Sequence, residues 1–162
     1  MKFLADGMLG KTARWLRMLG QDVEYLRMLD DEELINVAKE ERRILLTRDL
    51  ELFQKASTRD VKTFLVEGGT EAEKLAELAL EFGFKLEIDI KVSRCPKCNS
   101  RIKPVSKEEV IEEIPESTSR FYDEFWRCSK CGQIYWQGSH WRRIDETLRQ
   151  AKQIMESRKS GG

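Results

Sequence analysis

Over the first 92 residues, short apolar runs alternate with longer stretches of helical periodicity. KFLA (2–5) reads as a short buried strand, and MLGKTARWLRML (8–19) as a helix that Gly20 ends. Within that helix Trp15, Leu16 and Leu19 are expected in the core. DVEYL (22–26) predicts a second strand. DDEELINVAKEER (30–42) spaces Leu34, Ile35, Val37 and Ala38 on one helical face, with Asp30 and Glu33 placed as an acidic capping box. RILLT (43–47) is the third strand, DLELFQKA a short helix and VKTFLV (61–66) the fourth strand. TEAEKLAELALEFG opens on the capping pair Thr70 and Glu73 and closes on Gly83, and LEIDIKV (86–92) predicts a fifth strand.

Strands that alternate with helices predict an α/β fold, a parallel sheet flanked by helices, because right-handed crossovers are almost the only way to connect such strands. Ligands of such a sheet bind beyond the carboxyl ends of its strands. Asp6 follows the first strand, Asp30 and Asp31 the second and Asp49 the third, so three junctions send carboxylates to one rim. Carboxylates gathered there repel unless a cation joins them, and Mg²⁺ or Mn²⁺ suits all-oxygen donors. Each acid also has a plain structural reading. Asp30 and Asp49 fit as helix N-caps, and Asp31 as a first-turn complement to the helix dipole. Asp6 resists that reading, because Gly7 and Gly10 suggest a helix that begins later.

The character of the chain changes near Val92. Residues 1–92 hold 15 Lys/Arg against 19 Asp/Glu, while residues 93–162 hold 14 against 10 and all four cysteines. A division into 1–92 and 93–162 follows. CPKC (95–98) and CSKC (128–131) are two Cys-x2-Cys knuckles separated by 29 residues. That duplicated spacing predicts Cys95, Cys98, Cys128 and Cys131 as ligands of one structural zinc, with no open position for chemistry. Between the knuckles, SKEEVIEEI predicts a helix that breaks at Pro115. GQIYWQGSHWRR interleaves Tyr135, Trp136, His140 and Trp141 with Arg142 and Arg143. Such a segment either stacks unpaired bases and meets phosphates or packs the small module onto the larger one. IDETLRQAKQIMESR predicts an amphipathic C-terminal helix that packs on the body or mediates a homodimer, and the final SGG is expected to fray.

Composition narrows the classes. The chain has 162 residues, 40% hydrophobic and 36% charged, with no net charge. Disorder is excluded by the first figure, and no apolar run reaches the ~20 residues of a membrane span. The start MKFLADG is too short in apolar residues for a secretory leader, and the paired thiols suit a reducing compartment, so the expectation is a cytoplasmic protein.

ADGMLGKT (5–12) fits a loosely written phosphate-binding loop, but Asp6 inside it opposes a bound phosphate. A different identity accounts for that acid. FLADGMLGKTARWLRMLGQDVEYL, DDEEL, RILLTRD, CPKCN and RCSKCGQIYWQGSHW, in that order from Lys2 to about Leu148, resemble the Mut-seven C-terminal domain family, a PIN-like ribonuclease fold joined to a zinc ribbon. The resemblance implies a metal-dependent ribonuclease whose acids fall on Asp6, Asp31 with Asp30 adjoining, and Asp49. PIN nucleases commonly use four acids, and three are placed here. In this reading one or two Mg²⁺ or Mn²⁺ ions would activate water on a phosphodiester. Lys11, Arg14 and Arg48 near the rim, and Trp136, His140, Trp141, Arg142 and Arg143 in the zinc module, are the candidate RNA-binding residues. The alternative is a non-catalytic RNA-binding module, associated with the ribosome or rRNA.

Overall fold

In the computed structural model, which describes residues 1–161, the first unit is a four-stranded sheet of β1 (Lys2–Ala5), β2 (Asp22–Tyr25), β3 (Ile44–Thr47) and β4 (Thr63–Leu65). The order is β2-β1-β3-β4, and every pairing is parallel. Successive side chains of a strand point to opposite faces, and both faces here are covered. Phe3 and Ala5 of β1 with Leu46 of β3 therefore join one core, and Leu4 with Leu45 joins the other.

Helices follow from the same pattern. A 3-10 turn over Gly7–Leu9 leads into α1 (Gly10–Met18), which lays Ala13, Leu16 and the following Leu19 on the first face. Trp15 packs beside them, partly buried. Across the sheet, α2 (Asp31–Glu41) buries Leu34, Ile35 and Ala38, and α3 (Leu50–Ser57) buries Leu52 and Ala56. The predicted caps form: Asp30 accepts from the Glu33 N–H, Thr70 from the Glu73 N–H, and Gly83 ends α4 (Glu71–Phe82) in the left-handed conformation at φ 78°.

The fifth strand does not form. Residues 86–92 run irregularly, and Asp89 turns the chain by accepting from the Lys91 N–H at 3.0 Å while its carbonyl receives Val92 and Ser93. The alternating Leu86 and Ile88 instead pack against the first core. The apolar period is satisfied there without a ladder partner.

The second unit has an antiparallel sheet of β5 (Ile102–Val105), β6 (Phe125–Cys128) and β7 (Ile134–Tyr135). Its connection holds α5 (Lys107–Val110), shorter than the predicted helix, and α6 (Glu116–Phe121), which begins after Pro115. The proline cannot donate an N–H, so it ends one segment and starts the other. The last helix, α7 (Trp141–Gly161), extends further in both directions than predicted and includes Ser160 and Gly161 of the tail expected to fray. Gly162 lies outside the described residues. Leu148 and Ala151 of α7 enter the first core beside α4, joined by Ile144, Ile154 and Met155 at helical spacing. This helix thus packs on the body.

Asp22 ties the sheet edge to the second unit. Its carboxylate accepts from Arg43 and from the Asn99 amide, each at 2.8 Å. Burial works against its ionised form, but those hydrogen bonds and the Arg43 charge outweigh it and hold Asp22 below the usual carboxylate range. A carboxylate whose folded pKa is depressed contributes stability that is complete above the unfolded value near 4 and is lost as pH falls through the folded value. Asp22→Asn should therefore flatten the fall of the urea midpoint below about pH 4. An unchanged acid limb in the variant would assign that fall to other groups.

Candidate active site and four-cysteine centre

β1 lies between β2 and β3, so the chain leaves β1 in one direction and later crosses to its other side. The crevice between the carboxyl ends of β1 and β3 is therefore the switch point where parallel sheets bind ligands. Asp6 stands there. Its N–H continues the ladder to the Leu46 carbonyl at 3.1 Å, and only 5% of the residue is exposed. One carboxylate oxygen accepts from the Met8 N–H at 3.0 Å and the other from the Thr47 hydroxyl. Thr47 Oγ1 in turn accepts from the Asp49 N–H at 3.0 Å. A single hydroxyl thus couples the acids that follow β1 and β3.

The geometry corrects the sequence reading of Asp6. A 3-10 turn begins at Gly7, ahead of the α-helix, and Asp6 caps it. Gly10 lets the Tyr25 ring close on that turn: a Cβ there would come within 2.8 Å of the ring and displace it, and the Tyr25 hydroxyl donates to the Gly7 carbonyl. Asp49 is exposed and caps α3 by accepting from Glu51 and Leu52 with one oxygen. Its other oxygen has no hydrogen bond among the described residues. Asp30 is the exposed cap of α2, and Asp31 is half-buried in the first turn. A capping carboxylate keeps further lone pairs, so capping and cation binding are compatible. Asp6, Asp31 and Asp49 do not form a tight triad, however: among the described residues, four cysteines alone form a group of three or more potential ligands within 4.8 Å of one another.

The basic candidates divide. Lys11 and Arg14 are exposed on α1 and form no ion pair among the described residues. The Arg48 guanidinium donates to the carbonyls of Val66, at 3.4 Å, and Gly68. It braces the ends of β3 and β4. Exposed apolar side chains surround the rim instead: Met8 after β1, Met28 after β2 and Leu50 after β3.

The aromatic segment of the second unit also divides. Trp136 packs on Phe125 with ring centroids 6.2 Å apart, in a small core with Val110 and Ile114. Trp141 is half-buried and helps line an apolar cavity of about 170 Å³ between the units, with Met18, Ile88 and Ile144. His140, Arg142 and Arg143 are exposed and line an open hollow of about 640 Å³ with Ser139 and Glu146. Both tryptophans are thus half-buried against apolar neighbours, while His140, Arg142 and Arg143 are exposed.

Cys95, Cys98, Cys128 and Cys131 converge as their spacing predicts and could bind a metal such as zinc. Each knuckle closes on a residue in the left-handed region, Asn99 at φ 72° and Gly132 at φ 78°, types that tolerate it. The Asn99 and Gly132 N–H groups return to the Cys95 and Cys128 carbonyls at 2.8 and 3.2 Å, so the two turns are alike. Sulfur separations of 3.7 Å for Cys95 and Cys131 and 3.4 Å for Cys98 and Cys128 compare with the about 3.8 Å edge of a tetrahedron built on 2.3 Å bonds. Zinc fits that cage. Burial pushes the Cys95 thiol up to about 12, and the Tyr135 hydroxyl lies 2.9 Å from its sulfur. Burial also works to raise Cys98, but hydrogen bonds involving Ser100 and neighbouring sulfurs outweigh it and bring it down to about 6. A bound cation would hold all four as thiolates.

Arg17 fixes this centre to the first unit, and the sequence reading had passed over it. Its guanidinium donates to the Val23 carbonyl at 2.9 Å and the Pro96 carbonyl at 2.8 Å, and its own carbonyl receives the Arg94 N–H at 2.8 Å. Asn99 adds a bond from the Val23 N–H at 3.0 Å. The available signal was position: Arg17 lies four residues after Ala13, on the buried stripe of its helix. A charged residue on such a stripe has to find buried acceptors.

Compared with known protein families, residues 1–148 match the family described as the Mut7-C RNAse domain. No curated protein and no solved structure gives a significant match.

Proposed function

The chain belongs to the Mut7-C RNAse domain family, and on that premise we propose that it is a PIN-like, metal-dependent ribonuclease whose centre is the crevice between β1 and β3. The observation that carries this reading is the buried Asp6 carboxylate at the switch point, coupled through Thr47 to the exposed Asp49. A nearly buried acid at that position needs a reason. Capping a three-residue turn uses one of its oxygens and the Thr47 hydroxyl the other, each leaving a lone pair that can face the crevice.

In this mechanism Asp6 and Asp49, with Asp31 from the start of α2, would hold Mg²⁺ or Mn²⁺, whose all-oxygen preference their carboxylates meet. A cation held there would supply a more acidic water and stabilise the charge that develops in an in-line attack on a phosphodiester. Thr47 sets the orientation of Asp6 and of the Asp49 backbone together. Lys11 and Arg14 stand in the first and second turns of α1, where they would meet the phosphates beside the scissile bond. The four cysteines would hold a structural zinc, closed by its thiolates to water and substrate.

A second reading is favoured by one observation: the three acids do not form a tight ligand group. It is a non-catalytic RNA-binding module. Cleavage of labelled RNA by the purified protein, with Mn²⁺, with Mg²⁺ and without added divalent cation, separates the two. The ribonuclease reading expects cleavage that requires the added cation and falls sharply in Asp49→Asn. Binding without cleavage under every condition would establish the other.

A further inference from the structure

We infer that the cleft between the exposed face of α1 and the first cysteine knuckle is the track along which a single-stranded RNA leaves the Asp6 rim; this rests on the ribonuclease reading and names the path of its substrate. The cleft has a volume of about 370 Å³ and is lined by Arg14, Pro96, Lys97, Gln133 and Tyr135. Its two walls come from different units. One is helix α1, which starts directly after the 3-10 turn that Asp6 caps; the other is the knuckle itself.

Arg14 and Lys97 face the cleft from its two walls. Lys11 and Arg14 are three residues apart on α1 and so share a helical face. Lys97 stands across the cleft at the tip of the knuckle. All three are exposed, and none takes part in an ion pair among the described residues. Some exposed cations, such as Arg59, Arg120 and Arg149, are held by acids, and Lys11, Arg14 and Lys97 are not. Such unpaired cations match the charge of a sugar–phosphate backbone.

The cleft is also held at a fixed width. Arg17 lies one turn beyond Arg14 and bonds the Pro96 carbonyl, while Ser93 donates to the Met18 carbonyl at 2.6 Å. Wall and knuckle therefore cannot separate without breaking these part-buried hydrogen bonds. Between them Tyr135, anchored by its hydroxyl on Cys95, offers a fixed aromatic surface, and the exposed Gln133 offers an amide. Aromatic surface beside a basic groove is the arrangement that binds unpaired nucleotides with little regard to sequence.

The test is fluorescence anisotropy of a labelled single-stranded RNA against salt concentration, without added divalent cation and without chelator, so that the cysteine centre stays intact. For single strands each phosphate contact contributes about 0.7 to the slope of log Kobs against log[salt]. Arg14→Ala with Lys97→Ala should lower the magnitude of that slope by about 1.4 and weaken binding at low salt. Metal content measured on the same sample shows that the knuckle is preserved. A double variant with the wild-type slope, while Arg142→Ala with Arg143→Ala loses it, would overturn the track, move the strand to the hollow at α7 and leave the ribonuclease reading in place. Failure of the wild-type protein either to bind or to cleave RNA would overturn both.

Discussion

Asp6→Asn is expected to reduce cation-dependent RNA cleavage by about 10²–10³-fold, the usual scale for losing one preorganised electrostatic group in an active site. The substitution keeps the shape of the side chain. An asparagine oxygen can still accept from the Met8 N–H, but an amide NH₂ then faces Thr47, whose hydroxyl now donates to Asp6 and also receives the Asp49 N–H. The hydroxyl must rotate and accept, so the coupling of the two acids changes hands without a cavity. Stability should move little, while a full negative charge leaves the crevice. Single-turnover rates at saturating Mn²⁺, paired with thermal melts, read the two effects separately. If the variant cleaves within a few-fold of wild type, Asp6 serves only as the cap of the 3-10 turn and the centre lies elsewhere.

The other large effect concerns the cysteines. Cys128→Ser should abolish metal binding at the cysteine cluster and unfold the three-stranded sheet. The small core around that sheet has three buried residues, Val110, Ile114 and Phe125, too few to support such a module alone. Metal binding in modules of this size is worth an apparent 10–16 kcal/mol, roughly, at neutral pH, so losing a ligand removes most of what folds it. Cys128 also receives the N–H groups of Lys130 and Cys131 at 3.4 Å, which shape the second knuckle. Limited proteolysis should then cut the variant between residues 101 and 137, where wild type resists, with no metal recovered on mass analysis. A variant that retained full metal and the wild-type cleavage pattern would disprove a closed four-thiolate centre.

What the sequence made legible was largely periodic or duplicated. Four of the strands, their intervening helices and the caps at Asp30 and Thr70 could be read because apolar spacing and capping chemistry are local. The four-cysteine centre was equally legible, since spacing alone implied convergence. Residues 86–92 misled because alternation reports burial on one side, whatever supplies that burial; core packing supplied it in place of a sheet partner. The hydrogen bonds of Arg48 were hidden for a related reason. Its place after β3 fixed where its backbone stands, and two carbonyls near the end of β4 decided where its guanidinium went. Thr47 went unnoticed as the link between two acids, because a hydroxyl at a strand end carries no pattern until the neighbouring strand is known.

α7 carries a consequence for synthesis. The apolar face of α4 is covered by Leu148, Ala151 and their neighbours, which the ribosome adds only after both cysteine knuckles have been made. The sheet can assemble early, but its first core stays open on one side through that interval. A nascent chain of this protein would expose a sticky surface for some seconds at ordinary elongation rates. The metal module would fold inside that waiting time, between two halves of a hydrophobic layer that closes last.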